Sequence, residues 1–298
     1  MCHLFVGKFK LADSPFLQDS EDLARATALL LRFWDVFSWD GSFGTCQLLK
    51  HEIFTVKGHP INQRIRPINP NLETQLRKQI DEWLAKDVIE PSKSPWNFPL
   101  VAVPKKNKSI RWCIDFRQLN ERTEKDAHPI GSVEGNLSSL AGSQIFSALD
   151  NAGAFHMVPL SDDAKQKTAF STSWGHWHFK TMPFGLANGP ATYSRLVQQV
   201  LQGIPTSMAL AYLDDILCHS ANLEDHLISL TRVFFAYQKA GLKLQPAKCF
   251  FFKQSTKYLG HIVSEKGLSP DPEFVKVVQD WPMPTTRSQV RAFLGKTG

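Results

Sequence analysis

Cysteine is scarce and scattered in this chain, and long apolar runs are missing. The five cysteines, Cys2, Cys46, Cys113, Cys218 and Cys249, form no CxxC pair. This argues against a disulfide framework or a zinc site and fits a reducing compartment. No apolar run approaches the roughly 18 residues that a membrane-spanning helix needs, so no membrane partner is expected. The N-terminus lacks a long apolar core and a small-residue cleavage site, which argues against a secretory signal.

What remains is the composition of a basic globular protein. Of 298 residues, 43% are hydrophobic and 21% are charged, and the net charge is +6. This length suits one large domain or two to three subdomains, and the charge suits a polyanionic partner. Basic side chains cluster in one segment, with Trp112 and Phe116 among them: Lys105, Lys106, Lys108, Arg111, Arg117, Arg122 and Lys125. The segment is typical of a surface that contacts phosphates and stacks bases, and a solvated charged hairpin is the alternative.

The hydrophobic periodicity predicts helices and strands without a regular β–α–β alternation, and therefore an α+β fold. Helices are predicted over about 20–37, from Asn71 to about 87, from Pro190 to Gly203, from Asn222 to Gly241, and near Asp271 and Thr286. Strands are predicted at 100–103, 111–116, 145–149 and 249–263, with a hairpin over 168–180. The turn between the first two strands is predicted at 105–109.

Residues 211–218 read Ala-Tyr-Leu-Asp-Asp-Ile-Leu-Cys, which places Asp214 and Asp215 between apolar flanks. A fully buried strand does not tolerate two unpaired charges, so we predict a tight hairpin with the two carboxylates at its turn. Oxygen ligands of this kind bind hard divalent cations. Two such ions about 3.5–4 Å apart serve phosphoryl transfer. An ordinary polar turn is the alternative.

Asp150 is the third candidate carboxylate, since it ends the apolar strand predicted at 145–149. Small residues follow at 152–154 and leave backbone N–H groups free to approach a phosphate. For Asp150 by itself, a helix cap is the alternative. His176 and His178 form an isolated His-x-His pair without a further nearby ligand, so we interpret them as residues on a sheet face rather than a metal site.

Seven segments in this order resemble the reverse transcriptase of gypsy-type LTR retrotransposons, and more distantly that of retroviruses. They are Ser94-Pro-Trp-Asn-Phe-Pro, Arg111-Trp-Cys-Ile-Asp-Phe-Arg-Gln-Leu-Asn120, Phe146-Ser-Ala-Leu-Asp150, Lys167-Thr-Ala-Phe170, Met182-Pro-Phe-Gly-Leu-Ala-Asn-Gly-Pro190, Tyr212-Leu-Asp-Asp215 and Tyr258-Leu-Gly-His-Ile262. The resemblance covers roughly residues 35–295. It implies a right-hand polymerase fold with fingers, a palm and the start of a thumb.

The resemblance also implies roles for individual residues. Asp150, Asp214 and Asp215 resemble the carboxylates that hold two Mg²⁺ or Mn²⁺ ions, and Asn151 contributes a backbone carbonyl to the same metal site. Lys248 matches a position that protonates the pyrophosphate leaving group, although a solvated surface lysine is the alternative. Tyr258, Leu259 and Gly260 resemble the primer grip.

A further group of residues resembles the nucleotide-binding site. Arg111 matches a residue that contacts the triphosphate, and either Lys105 or Lys106 is its partner. Gly153 and Ala154 precede Phe155, which resembles the steric gate that excludes a 2′-hydroxyl; a core-packing role is its alternative. Phe184 and Gly185 resemble the segment beside the templating pair, where retroviral relatives usually have Gln in place of Phe184.

The chain departs from the family pattern after Asp150, where many relatives have Leu-x-x-Gly and this chain has Asn-Ala-Gly-Ala. The sequence carries no protease, integrase or zinc-knuckle motif, and we expect it to be a piece of a larger polyprotein with ribonuclease H downstream. We predict an N-terminal extension or linker at 1–60, mainly fingers at 61–149, mainly palm at 150–263 with fingers elements interleaved near 160–185, and the start of the thumb or connection at 264–298.

The expected function is RNA-directed DNA polymerisation by two-metal phosphoryl transfer. The partners are an RNA or DNA template with its primer and deoxynucleoside triphosphates. The expected location is intracellular, in a cytoplasmic virus-like particle with nuclear access. Two alternatives stay open: a catalytically silent, domesticated nucleic-acid-binding fragment, and an RNA-templated RNA polymerase, against which Phe155 argues.

Overall fold

The structure, a computed structural model, describes residues 2–104, 110–129 and 133–297. Its α-helices are α1 Cys2–Phe9, α2 Ser20–Arg32, α3 Pro70–Ala85, α4 Arg117–Arg122, α5 Val133–Ser138, α6 Asp162–Gln166, α7 Gly189–Val200, α8 Leu223–Ala240, α9 Pro272–Gln279 and α10 Arg287–Thr297. Its strands are β1 Ile89–Pro91, β2 Leu100–Pro104, β3 Ile110–Ile114, β4 Ile145–Asp150, β5 Phe170–Thr172, β6 Gly175–Phe179, β7 Ala209–Tyr212, β8 Asp215–Ser220, β9 Phe250–Lys253, β10 Ser255–Tyr258, β11 His261–Ser264 and β12 Gly267–Pro270. The predicted α+β class is confirmed.

A four-stranded antiparallel sheet in the order β7-β8-β4-β9 forms the palm. Its central strands are buried on both faces, because their side chains alternate between two hydrophobic clusters. In β8, Ile216 and Cys218 belong to the main core, whereas Leu217 belongs to a smaller cluster that includes Tyr258 and Val263. The sheet is thus covered on one side by helices and on the other by the small sheet β10-β11-β12.

Helix α8 covers the helical face of the palm sheet and has well-defined ends. The Asn222 side chain accepts a hydrogen bond from the Asp225 N–H at 2.9 Å, as predicted for the cap. The helix ends at Gly241, whose φ of +72° is left-handed. A Cβ at Gly241 would lie 2.4 Å from the Thr45 carbonyl oxygen, so only glycine allows this close approach.

The first sixty residues pack against the palm. Leu11, Ala26, Leu30, Phe37 and Ile53 are all buried members of the main core. The hydroxyl of buried Ser14 donates to the Phe252 carbonyl at 2.6 Å, which ties this segment to β9. The boundaries of the four predicted regions, with an extension or linker at 1–60, stay predictions.

The fingers side consists of two further antiparallel sheets, β2-β3 and β1-β6-β5. The predicted hairpin over 168–180 is present as β5 and β6. The predicted turn at 105–109, with Lys105 and Lys106, lies outside the described residues. Within the described ranges, no helix is both long and apolar enough to cross a membrane.

Three predicted boundaries need correction. Helix α2 ends at Arg32 instead of 37, and a short 3₁₀ turn, Trp34–Val36, follows it. Helix α3 is capped by Asn69 rather than Asn71, because Pro70 is well suited to the first helical turn. Strand β3 ends at Ile114, since the next residue, Asp115, turns away to bind Arg66 and Arg117.

Candidate active site

Asp150 and Asp215 face each other at the end of the palm sheet. The antiparallel register of β4 and β8 pairs these two residues directly. Because side chains alternate along a strand, Asp150 lies on the same face as Phe146, and Asp215 on the same face as Leu217. Phe146 and Leu217 share the smaller cluster, so both carboxylates belong to the face that β10 and β11 cover.

Asp214 lies in the turn that joins β7 to β8, and here the sequence-based prediction needs refinement. The two-residue turn consists of Leu213 and Asp214, while Asp215 is already the first strand residue and pairs with Tyr212. Leu213 has a φ of +53°, a left-handed conformation that a leucine adopts only at a cost of about 1–3 kcal/mol. Tertiary contacts must therefore hold this turn in place.

Mutual repulsion and partial desolvation characterise the carboxylates. Desolvation by the surrounding protein is the main cause that raises the pKa of Asp215, and the charges of Asp214 and Asp150 add to it. Desolvation also raises the pKa of Asp150, with Asp214 contributing and Lys248 opposing the shift. These are the conditions under which a cation binds favourably, because it relieves the repulsion.

Lys248 supplies the positive charge beside this cluster. Its Nζ lies 3.2 Å from both carboxylate oxygens of Asp150. The lysine side chain is mostly exposed, so it can leave Asp150 without opening the core. Its predicted role as a general acid stays a prediction, and its position at the edge of the carboxylate cluster is compatible with that role.

The donor set fits divalent metal ions in its chemistry. Three carboxylates and the backbone carbonyl of Asn151 are hard oxygen ligands of the kind that Mg²⁺ and Mn²⁺ prefer. In the part of the chain that the structure describes, no three His, Cys, Asp or Glu side chains are already gathered tightly enough to hold an ion. Binding two ions would therefore require the carboxylate side chains to move closer together.

A cleft of about 670 Å³ opens in front of the carboxylates. Asp150, Asp215, Lys248, Tyr258 and Ile262 are among the residues that line it. The predicted primer-grip residues lie at the edge of this cleft. Tyr258 ends β10, and Leu259 and Gly260 form the turn to β11. Tyr258 is buried in the smaller cluster, and Leu259 packs against the same cluster half-buried. Leu259 and Gly260 both have positive φ.

The predicted nucleotide-binding residues after Asp150 form a tight bend. Gly153 has a φ of +73°, and a Cβ there would lie 2.4 Å from the Phe43 ring, so this position requires glycine. Ala154 is buried at the start of a 3₁₀ turn, and Phe155 follows it half-buried. The Phe155 ring lies 5.1 Å from that of Phe184, centroid to centroid.

Arg111 and Phe184 meet at a second cleft of about 230 Å³. Arg111 is exposed on β3, and the Phe184 side chain is 52% exposed. Gly185 has a φ of +94°, and its carbonyl accepts a hydrogen bond from the Asn120 side chain at 2.8 Å. Arg111 and Phe184 thus share this cleft, and Phe155 lies against the Phe184 ring.

His176 and His178 have protein partners at all four ring nitrogens. His176 bonds to the Ser171 hydroxyl at 2.7 Å and to the Ser94 carbonyl at 3.1 Å. His178 bonds to the Ser92 hydroxyl at 2.8 Å and to Glu90 at 2.9 Å. These contacts agree with the interpretation of the pair as sheet-face residues.

Three residues that support the site were missed by the sequence reasoning. Phe43 packs over Gly153 and stacks on His156. Asn120 holds the 184–187 loop through Gly185 and the Ala187 N–H. Tyr237 donates to the Asn151 side chain from inside the core. Only Asn120 carried a signal, since it ends one of the matching segments.

A family profile described as "Reverse transcriptase (RNA-dependent DNA polymerase)" matches residues 103–263, more than half of the chain. The chain belongs to the reverse transcriptase family. The matched region contains Asp150, Asp214 and Asp215, and the turn between β10 and β11. It also contains Lys248 of the first cleft and Arg111 and Phe184 of the second.

Curated relatives confirm the predicted resemblance to gypsy-type retrotransposons. The chain is 38% identical to the retrovirus-related Pol polyprotein from transposon 297 of Drosophila melanogaster, over 97% of this chain and 28% of that protein. It is 34% identical to the Pol polyprotein from transposon gypsy of the same organism, over 82% of this chain and 24% of that protein. The chain thus spans about a quarter of the length of these Pol polyproteins.

Solved structures confirm the right-hand polymerase fold. A foamy viral protease-reverse transcriptase in complex with double-stranded DNA aligns with a TM-score of 0.88 at 24% identity, covering 99% of this chain and 51% of that one. The same kind of protein in complex with an RNA/DNA hybrid aligns with a TM-score of 0.85 at 24% identity, covering 99% of this chain and 39% of that one.

The raised pKa of Asp215 predicts that Asp215→Asn stabilises the metal-free protein. Above the ordinary carboxyl pKa, the folded state must hold a desolvated charge that the unfolded state does not, so the free energy of unfolding falls as pH rises through the raised pKa. At about pH 7.5 the substitution should raise the free energy of unfolding only modestly, because solvent screens this exposed group. Urea unfolding in EDTA measures it.

Asp162→Asn is the matched control with the opposite sign. Its pKa is lowered by a side-chain hydrogen bond with Lys165, so its loss should bring no gain in stability. The advantage of Asp215→Asn should also shrink as the pH is lowered towards the ordinary carboxyl pKa of about 3.9. Equal effects of the two substitutions would contradict the prediction.

Proposed function

We propose that this domain is an RNA-directed DNA polymerase that extends a primer on an RNA or DNA template. The observation that carries the proposal is the direct pairing of Asp150 with Asp215, with Asp214 in the adjoining turn, at the mouth of a cleft edged by the β10–β11 turn. Membership of the reverse transcriptase family supports it. The carboxylates give phosphoryl transfer its metal-binding site, and the cleft offers room for a nucleic-acid end.

Asp150, Asp214, Asp215 and the Asn151 carbonyl would hold two Mg²⁺ or Mn²⁺ ions. Bound there, the ions would activate the primer 3′-hydroxyl and neutralise the charge of the triphosphate and its leaving group. Lys248, exposed at the edge of the same cleft, would donate a proton to the departing pyrophosphate. In the metal-free protein the same ammonium group partly neutralises Asp150.

Residues at and beside the second cleft would select the nucleotide. Arg111 provides a planar, permanently charged donor for the triphosphate. Phe155, fixed between the bend at Gly153 and the Phe184 ring, would lie under the sugar and clash with a 2′-hydroxyl. The site would therefore prefer deoxynucleoside triphosphates.

Template and primer would bind mainly through charge. The net charge of +6 favours a polyanion, and such binding weakens steeply with salt. The aligned foamy viral enzymes are described in complexes with double-stranded DNA and with an RNA/DNA hybrid, which supports a duplex partner for this domain. An intracellular location, in a cytoplasmic particle with nuclear access, completes the proposal.

Asp214→Asn should abolish most extension while leaving duplex binding intact. The substitution keeps the size of the side chain and removes a charge that a divalent ion needs. Turnover should fall on the order of 10²–10³-fold, as when another element of electrostatic stabilisation is lost. Single-turnover extension and hybrid-duplex affinity, measured in parallel with wild type, test this. A wild type that binds duplex but never extends it would leave the silent nucleic-acid-binding alternative.

Arg111→Ala should weaken nucleotide binding specifically. Loss of a charge-assisted contact of about 1.5–3 kcal/mol corresponds to a rise of about 10–100-fold in the KM for deoxynucleotide. Primer–template affinity should change little. Arg117→Ala is the matched control, because Arg117 is an exposed arginine nearby whose partner is Asp115. Equal KM values for the two variants would remove Arg111 from the nucleotide site.

Phe155→Ala should relax discrimination against ribonucleotides. Removing the ring removes a clash rather than a contact, so the preference for deoxynucleotides should fall by at least about tenfold. Single-nucleotide extension with matched ribo- and deoxynucleotides measures the ratio. Phe235→Ala, at an exposed phenylalanine on α8, should keep the wild-type ratio. Unchanged selectivity in the Phe155 variant would leave Phe155 with a core-packing role.

A further inference from the structure

Asn151 is a buried polar residue at the end of β4. Its side chain is only 5% exposed, directly after the metal-binding candidate Asp150. A buried amide is costly unless its donor and acceptor are both satisfied. Where its hydrogen bonds go therefore shows what the residue does in this chain.

The Asn151 amide joins the catalytic turn to the interior of the palm. Its Nδ2 donates to the backbone carbonyl of Asp214 at 2.9 Å, and its Oδ1 accepts from the Tyr237 hydroxyl at 3.0 Å. This orientation of the amide follows from chemistry, because a carbonyl oxygen can only accept a hydrogen bond. Burial raises the pKa of Tyr237 far above its usual range, so its hydroxyl remains protonated and donates.

The alternating direction of side chains along β4 explains how Asn151 reaches both the Asp214 carbonyl and the Tyr237 hydroxyl. Asp150 lies on the cleft face, so the side chain of Asn151 points to the opposite side, where α8 packs. Tyr237 is fully buried in α8 and belongs to the main core. The Asp214 carbonyl is thus connected through two hydrogen bonds to a rigid helix.

The turn that receives this connection is the strained one. Leu213 has a φ of +53°, and leucine is not a residue type that favours this conformation. Asp214 and Asp215 are exposed, so packing of their side chains contributes little to holding them. The hydrogen bond to the Asp214 carbonyl restrains the peptide group that joins Asp214 to Asp215.

We propose that Asn151 is a positioning residue for the metal-binding carboxylates, with Tyr237 holding its amide in place. The amide restrains the Leu213–Asp214 turn relative to Asp150, and so sets the spacing of the three carboxylates. The inference rests on the proposed polymerase function and deepens it.

Asn151→Leu tests the role of the amide with an apolar side chain of similar size. Groups that orient metal ligands typically contribute about 10–100-fold to metal affinity or activity. We expect losses in this range both in Mn²⁺ affinity, measured by electron paramagnetic resonance on the primer–template complex, and in kcat per active site. The KM for deoxynucleotide and the duplex affinity should stay within about twofold of wild type, because the residue touches neither partner.

Tyr237→Phe tests whether the tyrosine acts through Asn151. It should shift Mn²⁺ affinity and kcat in the same direction by a smaller factor. The double variant Asn151→Leu/Tyr237→Phe should be no worse than Asn151→Leu alone, because residues that act in one chain of contacts are non-additive. If the double variant instead loses Mn²⁺ affinity and kcat by the product of the two single-variant factors, the proposed connection between Tyr237 and Asn151 is overturned.

Tyr193→Phe is the matched control for the tyrosine. Tyr193 is also fully buried, and its hydroxyl has no hydrogen-bond partner among the described residues. This variant should match wild type in Mn²⁺ affinity and kcat. Thermal midpoints in EDTA separate the two roles, since a purely structural role of Asn151 would lower the midpoint and leave both quantities unchanged.

The outcomes for the two proposals are distinguishable. If wild type extends a primer, and Asn151→Leu and Tyr237→Phe both match it in Mn²⁺ affinity and kcat, the positioning role is overturned while the polymerase function stands. If wild type fails to extend but Asn151→Leu still weakens Mn²⁺ binding, the polymerase proposal fails and the positioning role is supported. Unchanged Mn²⁺ affinity overturns the positioning role in either case.

Discussion

The pairing of β4 with β8 is the interaction on which the rest of the site depends. Antiparallel register places Asp150 opposite Asp215 and leaves the Leu213–Asp214 turn beside them. A shift of one residue would move each carboxylate to the other face of the sheet, into the helical core. The register is secured by apolar side chains on both faces, with Ile216 and Leu217 each in a different cluster.

This arrangement concentrates negative charge at the end of the palm sheet, and Lys248 is the cation paired with it among the described residues. Partial desolvation and mutual repulsion raise the pKa values of Asp150 and Asp215. Lys248, whose side chain is mostly exposed, offsets part of this charge. Both turns at the cleft also contain a left-handed leucine, Leu213 and Leu259. Backbone strain and unfavourable charge coincide where a ligand would bind, a combination that is common at functional sites.

The surrounding elements support the site from a distance. The N-terminal segment packs closely on Gly241 at the end of α8, which carries Tyr237. Phe43 from the same segment covers Gly153, two residues before Phe155. The Asn120 side chain holds the loop that carries Phe184. Residues far apart in the chain thus determine the surroundings of Phe155 and Phe184.

The sequence alone determined the order of elements, the α+β class, the family resemblance and the three candidate carboxylates. Local signals sufficed there, because caps such as Asn222, apolar periodicity and the Asp-Asp pair are all short-range features. Helix ends were less predictable, as Asn69 and Arg32 show, because neighbouring caps compete within a few residues. Only the tertiary structure decided that residues 1–60 belong to the core and that Lys248 meets Asp150. It also decided that Asn151 joins Tyr237 to Asp214, since hydrogen bonds between distant segments leave no periodic trace in the sequence.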